Sequence, residues 1–262
     1  MAGTFYPSRK DLLQKTVDDL LGGAMKFDPL LEEGQKLVAL IVPHAGYIYS
    51  GPIAATAYVH VRSIQERIET VVLAGPSHFV SMSGLAHPAA DFYSTPLGVV
   101  EVDQGALGSI NDLPQVRGNQ EAHESEHSLE VQIPFLQRVL SSFTLLPLVV
   151  GHCSPEKVAQ VIDRFLGKEK TLVLISSDLS HYLPYDEANL LDRDTSNSIL
   201  KKTILVDSNR ACGAAPINGL LLAAQKMKLK SKLLDLRNSG DTAGDRNRVV
   251  GYGAFAFYKD AT

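Results

Sequence analysis

Short apolar runs alternate with segments of helical periodicity along most of this chain. Apolar runs of this length, bounded by turn residues, are typical of strands buried on both faces of a sheet. The pattern predicts strands over residues 37–42, 70–74, 143–150 and 171–175, and late strands over 232–237 and 249–258. Residues 83–103 mix Gly, Pro, aromatic residues and Val-rich alternation, which predicts short strands or loops.

Apolar positions three and four residues apart predict the helices between these strands. The first helix covers residues 8–21, with Ser8 as its cap. The second opens at Gly51 and runs to residue 64, with Pro52 in the first turn, where proline is tolerated. Further helices are predicted over 125–140, from Ser154-Pro155 onward, over 185–203 and over 216–228. This alternation predicts an α/β fold, a three-layer α/β/α sandwich around a central mostly parallel or mixed sheet.

Composition and charge narrow the class of protein. The net charge is −4 and the Lys and Arg residues are dispersed, so nucleic acid is not an expected partner. Neither a signal peptide nor an apolar stretch of about 18 residues is evident, so we expect a soluble cytoplasmic protein with no membrane partner. The two cysteines, Cys153 and Cys212, are expected to be reduced. The 262 residues suffice for a single domain over 1–262.

Three predicted strands end in loops that present a histidine. His44 follows the first strand, His78 the second, and Asp178 with His181 follows the strand over 171–175. Ligands bind just beyond the carboxyl ends of parallel strands, so these residues are expected to meet at one edge of the sheet. A single histidine in such a loop often bonds the loop backbone instead, but the repeated arrangement favours a metal or acid/base site.

Within this group, the spacing of Asp178 and His181 predicts that the carboxylate orients the imidazole for general acid/base chemistry. The other interpretation is that Asp178 caps the following turn. Cys212 precedes the helix predicted near Pro216, where the helix dipole would favour a thiolate that can bind a metal. Cys153, beside His152 at another strand end, is the rival candidate.

A cluster of histidines and glutamates lies at residues 123–130. His123 and His127 are four residues apart, which places them on one face if a single helix contains both. We expect Ser125 to cap a helix whose polar face carries Glu126 and Glu130, with His127 free to point into the site. The remaining apolar-flanked histidines are interpreted as structural or surface residues: His60 and His87.

Seven ordered motifs resemble the Memo family, and they cover nearly the whole chain. They are P-H-A-G-Y-x-Y-S-G, G-P-S-H, T-P-L-G, E-H-S-L-E-x-Q-x-P-F-L, S-S-D-L-S-H-Y, A-C-G-x-x-P-I and N-S-G-D-T-x-G-D-x-x-x-V-V-G-Y. The chain is most similar to the prokaryotic branch called AmmeMemoRadiSam system protein B. That resemblance implies AMMECR-type and radical SAM proteins as partners.

The Memo fold is similar to that of class III extradiol dioxygenases, which use non-haem iron(II). The resemblance implies His44, His78 and Cys212 as metal ligands. It also implies acid/base roles for Asp178 and His181, and a cavity-lining role for the remaining site residue, His127. A thiolate stands where the dioxygenases have a carboxylate, and soft sulfur favours copper(I), zinc or thiolate-ligated iron.

Three functional hypotheses follow. The leading one is a metal-dependent oxidoreductase, dioxygenase-like, that holds iron(II) or copper(I) and acts on an unknown small molecule. The second is metal-assisted hydrolysis with zinc, in which His181 or Asp178 acts as the base. The third is a non-enzymatic module that binds a peptide or a metal.

Overall fold

The computed structural model describes residues 1–25 and 34–260. These residues build a nine-stranded mixed sheet and a separate two-stranded hairpin. The strands are β1 Lys36–Val42, β2 Thr70–Pro76, β3 Leu85–His87, β4 Phe92–Thr95, β5 Gly98–Glu101, β6 Val116–Gly118, β7 Thr144–Val150, β8 Thr171–Ser176, β9 His181–Leu183, β10 Lys230–Asn238 and β11 Val249–Lys259. All the predicted strands are therefore confirmed, with short strands where residues 83–103 were ambiguous.

Helices of very different lengths connect the strands. They are α1 Lys10–Ala24, α2 Tyr47–Val61, α3 Gln104–Gly108, α4 Glu121–Glu124, α5 His127–Glu130, α6 Ile133–Val139, α7 Pro155–Ile162, α8 Tyr185–Leu200 and α9 Ala214–Lys226. Short 3₁₀ turns cover Arg62–Arg67, Ser208–Arg210 and Ser239–Asp241. Among the helices of the described residues, none has both the length and the hydropathy needed to cross a bilayer.

The sheet order is β10-β11-β1-β8-β2-β7-β3-β6, and β9 pairs with β11. The four central strands β1, β8, β2 and β7 are parallel, whereas β11 and β3 run antiparallel to their neighbours β1 and β7. The mixed sheet agrees with the prediction. Because the central strands are parallel, the loops that follow β1, β2 and β8 leave the same edge of the sheet.

Successive side chains of a central strand enter two different core layers, as the period of two requires. In β1, Leu40 and Val42 pack with the layer that contains α1, α2 and α6, whereas Ala39 and Ile41 pack with the layer that contains α7 and α9. All four side chains are fully buried. Helices therefore cover both faces of the sheet, which confirms the three-layer sandwich.

The predicted starts of the first two helices were wrong. The residue before α1 is Arg9, and no side chain caps that helix, so Ser8 is not its cap. Helix α2 begins at Tyr47, four residues before Gly51, so Pro52 lies inside the helix rather than in its first turn. Pro52 has no N–H group to donate to the carbonyl of Ile48, four residues earlier, and Ile48 is an exposed residue.

The single helix predicted over 125–140 is divided into α5 and α6. Pro134 lies near the start of α6 and has no N–H group to donate to the carbonyl four residues earlier, at Glu130. Ser125 is not the cap, because the carboxylate of Glu126 caps α5 by accepting a hydrogen bond from Ser128 N at 2.9 Å. By contrast, the predicted start at Ser154-Pro155 is confirmed, since α7 begins at Pro155.

Candidate metal centre

The edge of the sheet where β1, β2 and β8 end holds a cavity of ≈ 510 Å³. His44 and His78 each come two residues after their strand, and Asp178 comes two residues after β8. His127 reaches the same place as the first residue of α5. All four residues line the cavity together with His181. The structure thus brings five of the six candidate site residues to one cavity wall.

Three of these imidazoles form a cluster. His44, His78 and His127 each offer a ring nitrogen, and these atoms all lie within 4.8 Å of one another. The rings of His78 and His127 stack with centroids 4.7 Å apart, and His44 stands edge-on to both. His44 is 1% exposed, so the cluster extends from the cavity into the protein interior.

The hydrogen bonds of His44 fix its neutral tautomer. Its Nδ1 lies 2.9 Å from the hydroxyl oxygen of Ser176, and that hydroxyl donates its own hydrogen to the carbonyl of Ser128. Ser176 can therefore only accept from His44, so Nδ1 carries the hydrogen and Nε2 keeps its lone pair. Gln132 donates to the same oxygen at 2.8 Å and is itself held by the hydroxyl of Tyr58.

The hydrogen bonds of His78 lead to the same tautomer. Its Nδ1 lies 2.8 Å from Glu126 Oε1, and its backbone N–H donates to Glu126 Oε2 at 2.6 Å. Burial opposes ionisation of Glu126, but the hydrogen bonds from His78 and Ser128 prevail and lower its pKa to about 2. An ionised carboxylate only accepts, so His78 carries a hydrogen on Nδ1, and in its neutral form Nε2 is the nitrogen with the lone pair.

His127 differs because one of its nitrogens lacks a hydrogen-bond partner. Among the described residues, its Nδ1 is buried and makes no hydrogen bond, and Glu126 Oε1 is 3.6 Å away. Phe5 stacks on the ring with centroids 4.5 Å apart. Burial and the neighbouring His78 lower the pKa of His127, and burial with the other two imidazoles lowers that of His44 well below its usual range. Both rings are therefore neutral at neutral pH.

Cys212 lies next to His44, one of the three clustered imidazoles. Its Sγ is 3.3 Å from His44 Nε2, at a distance where the thiol donates to the imidazole lone pair. Burial and the nearby Asp178 raise the pKa of Cys212 to about 12, so the thiolate expected at this helix start is not favoured in the absence of a metal. The rival Cys153 lines a separate cleft with Arg117 and Lys157. Both cysteines are free thiols.

Asp178 and His181 share the cavity, but their predicted hydrogen bond is absent from the described residues. Asp178 Oδ1 accepts from the backbone N–H of His44 at 2.7 Å, whereas His181 Nδ1 lies 2.9 Å from the carbonyl of Leu179. The prediction that Asp178 orients His181 was wrong, because each group is held by a backbone partner. Asp178 instead fixes the loop that carries His44, and its burial raises its pKa.

The other histidines of the sequence do not line this cavity. His123 and His127 belong to separate helices, so their spacing does not place them on one face. His123 accepts from the hydroxyl of Tyr93 at 2.7 Å and donates to the carbonyl of Ala86 at 3.0 Å. His60 is buried within α2, as a structural histidine is expected to be.

Glu126 is the site residue that the sequence pattern misassigned. It was placed on an exposed polar face, but it is 4% exposed and bonded to His78. No local pattern marks its true role, because the bond joins residues that are 48 positions apart in the sequence. Ser176 and Gln132 were missed because no local pattern shows which buried polar groups meet across the core.

Comparisons with known sequences identify one family, and a comparison with solved structures supports the fold. The family described as Memo-like protein matches residues 1–256. A MEMO1 family protein of Aquifex aeolicus is 40% identical, with 96% of this chain and 95% of the relative covered, and one of Methanosarcina barkeri is 36% identical, with 97% of each covered. The crystal structure of an uncharacterized protein, JW3007 from Escherichia coli K12, has the same fold, with a TM-score of 0.53 at 13% identity. It covers 83% of this chain and 99% of that one.

Proposed function

The chain belongs to the Memo family, and we propose that it is a metal-binding member of it, with a centre built on His44, His78 and His127. The observation that carries this proposal is the cluster of three ring nitrogens within 4.8 Å of one another. A metal in such a site would serve oxidation–reduction chemistry on a small molecule held in the cavity.

The residues present fit a metal. Metal-bound histidines must be neutral and usually donate their second ring N–H to a carboxylate, hydroxyl or carbonyl. His44 and His78 each have such a partner for Nδ1, the hydroxyl of Ser176 and the carboxylate of Glu126. The buried Nδ1 of His127 has no hydrogen-bond partner among the described residues, which is costly unless another group, such as a cation, satisfies it.

Cys212 offers a fourth donor, since its sulfur lies 3.3 Å from Nε2 of His44. A donor set of nitrogen and sulfur favours iron(II) or copper(I), with zinc as the non-redox alternative. When bound, iron(II) or copper(I) supplies an electron and a coordination site for a small ligand. The three imidazoles are sufficient to form the ligand cluster. We therefore propose that Cys212 mainly increases the preference of the site for a soft metal.

The proton-handling groups of the proposed reaction line the same cavity. His181 donates from Nδ1 to the carbonyl of Leu179, which leaves Nε2 as a base. Asp178 is buried with a raised pKa, so it is suited to holding a proton that the cavity exchanges. Tyr252 and Phe5 supply aromatic surface to the cavity wall, which suits contact with an organic small molecule.

The three-imidazole set also supports zinc-dependent hydrolysis as a second candidate. Three histidines with an open position are a ligand set with which zinc activates water for attack on a carbonyl or phosphoryl group. In that case His181 serves as the general base.

Metal analysis of protein purified without an affinity tag tests the metal centre. We expect about one equivalent of metal in the wild type and a loss in the variants His44→Ala, His78→Ala and His127→Ala. The matched control His87→Ala removes an imidazole outside the cavity and is expected to retain the metal. Equal metal content in wild type and all three cluster variants would contradict the proposal.

Turnover measured with and without oxygen separates the two reactions. Oxygen uptake with small phenolic compounds by reduced, iron-loaded protein supports the oxidoreductase. Hydrolysis of an ester by zinc-loaded protein without oxygen supports the hydrolase instead.

A further inference from the structure

Glu126 is a buried carboxylate that lies beside two of the three clustered imidazoles. Its Oε1 is 2.8 Å from His78 Nδ1 and 3.6 Å from His127 Nδ1. The same oxygen accepts from Ser128 N at 2.9 Å, and Oε2 accepts from the backbone N–H of His78 at 2.6 Å. Three donors therefore converge on one carboxylate, two of them from a single proposed metal ligand.

We propose that Glu126 is a positioning residue of the metal centre, which holds His78 in the tautomer that presents Nε2 to a divalent cation. This inference rests on the proposed function of the cluster. Glu126 does not line the cavity, so it acts through His78 rather than on a substrate. A carboxylate that is hydrogen-bonded to a metal-binding histidine orients the imidazole ring and increases its basicity.

The N–H donors around position 126 require a side chain with two oxygens that both accept hydrogen bonds. A glutamine at position 126 has one accepting oxygen and one donating NH₂ group. If its NH₂ faces His78 Nδ1, the imidazole must accept there and move its hydrogen to Nε2, which removes the metal-binding lone pair. If its NH₂ instead faces the backbone N–H of His78, two donors oppose each other. In both orientations the isosteric change disturbs His78.

The local fold holds Glu126 firmly in this role. The residue caps α5, so the carboxylate that orients His78 also fixes the helix that begins with His127. One side chain thus couples the loop after β2 to the helix that supplies the third imidazole. Glu126 also brings a negative charge next to the cluster, and this charge favours a divalent cation over a neutral ligand.

Zinc titration of chelator-treated protein, with a competing indicator, tests the role in metal binding. We expect Glu126→Gln to weaken zinc affinity roughly 10- to 100-fold, the usual effect of removing such a partner. Glu126→Asp keeps a carboxylate and is expected to lose less affinity than Glu126→Gln. The matched control Glu124→Gln makes the same chemical change at an exposed position in α4 and is expected to bind zinc like the wild type.

Long-range ¹H–¹⁵N correlation spectra of the metal-free wild type test the tautomer without any substitution. We expect the hydrogen of His78 on Nδ1, and a hydrogen on Nε2 would overturn the proposal even if Glu126→Gln fails to fold. Zinc affinity of Glu126→Gln equal to that of the wild type would also overturn it. A wild type that binds no metal would contradict the proposed function, whereas the tautomer measurement would still decide the role of Glu126.

Discussion

The backbone of Gly75 in β2 packs directly against Ser128 in α5. A Cβ atom at Gly75 would lie 2.8 Å from Ser128 Oγ and 2.9 Å from the side chain of Leu129. Ser128 is also held by its hydroxyl, which donates to the carbonyl of Pro76, and by its own carbonyl, which accepts from Ser176. Helix α5, and with it His127, therefore sits at a fixed distance from the sheet.

Gly75→Ala is expected to push α5 away from β2 and so to enlarge the imidazole cluster. Overpacking of this kind costs about 1–3 kcal/mol of unfolding free energy, and we expect zinc affinity to fall as well. Urea unfolding of the metal-free protein and zinc titration measure the two effects. The control Gly108→Ala, where no atom lies within 4 Å of the added Cβ, should be neutral or stabilising. Equal behaviour of the two variants would contradict the packing argument.

Ser176→Ala removes the acceptor that fixes the tautomer of His44. It leaves buried donors on His44 and Gln132 with one partner fewer, so we expect a loss of about 1–3 kcal/mol of unfolding free energy. We also expect weaker zinc binding, because the hydrogen of His44 can then move to Nε2, the nitrogen that binds the metal. Ser109→Ala, at an exposed position, is the control. Unchanged zinc affinity in Ser176→Ala would show that the hydroxyl does not prepare His44.

Cys212→Ser tests the contribution of sulfur. A thiolate is a soft ligand, so its loss is expected to reduce copper(I) affinity more than zinc affinity. Competition titrations with each metal under anaerobic conditions measure the ratio of copper(I) affinity to zinc affinity. Cys153→Ser makes the same change in a separate cleft and should leave the ratio unaltered. A proportional loss for both metals would instead make Cys212 an essential ligand, and no loss for either would exclude it from the centre.

The stability of the metal-free protein is expected to depend on pH through His123. Burial lowers the pKa of His123 from 6.5 to about 4, so the unfolded chain takes up a proton before the folded one. Its contribution is fully present above pH 6.5 and is lost as pH falls to about 4, a change on the order of 3 kcal/mol.

The variant His123→Gln isolates that contribution, since glutamine keeps hydrogen-bonding groups but does not titrate. Unfolding free energies at pH 7 and pH 4.5, with a chelator present, should differ less in His123→Gln than in the wild type. An identical difference in both proteins would mean that another buried group accounts for the loss.

The strands and the edge of the sheet that holds the cavity could be predicted from the sequence. Strand runs such as β2 and β8 are apolar and short, and a histidine or aspartate follows each of them. The rule that parallel strands end at a common edge then places His44, His78 and Asp178 together. These predictions depend only on local pattern and on topology, which the sequence displays.

The hydrogen-bond partners within the site could not be predicted in the same way. The spacing of Asp178 and His181 indicated a pair, but each found a closer backbone partner once the loops had folded. The Cys212 thiol illustrates a competition, because the helix start favours a thiolate whereas burial opposes it more strongly. Such outcomes depend on which distant groups meet, and the sequence does not encode that in any local spacing.

Anomalous diffraction at the iron, copper and zinc absorption edges, from crystals of protein purified without a tag, would locate a bound metal and identify its element. A metal centre on His44, His78 and His127 predicts one strong peak within bonding distance of His44 Nε2 and of nitrogen atoms of the other two imidazoles. A metal-supplemented crystal with no peak at this position, or with its peak at a different group of residues, would contradict it.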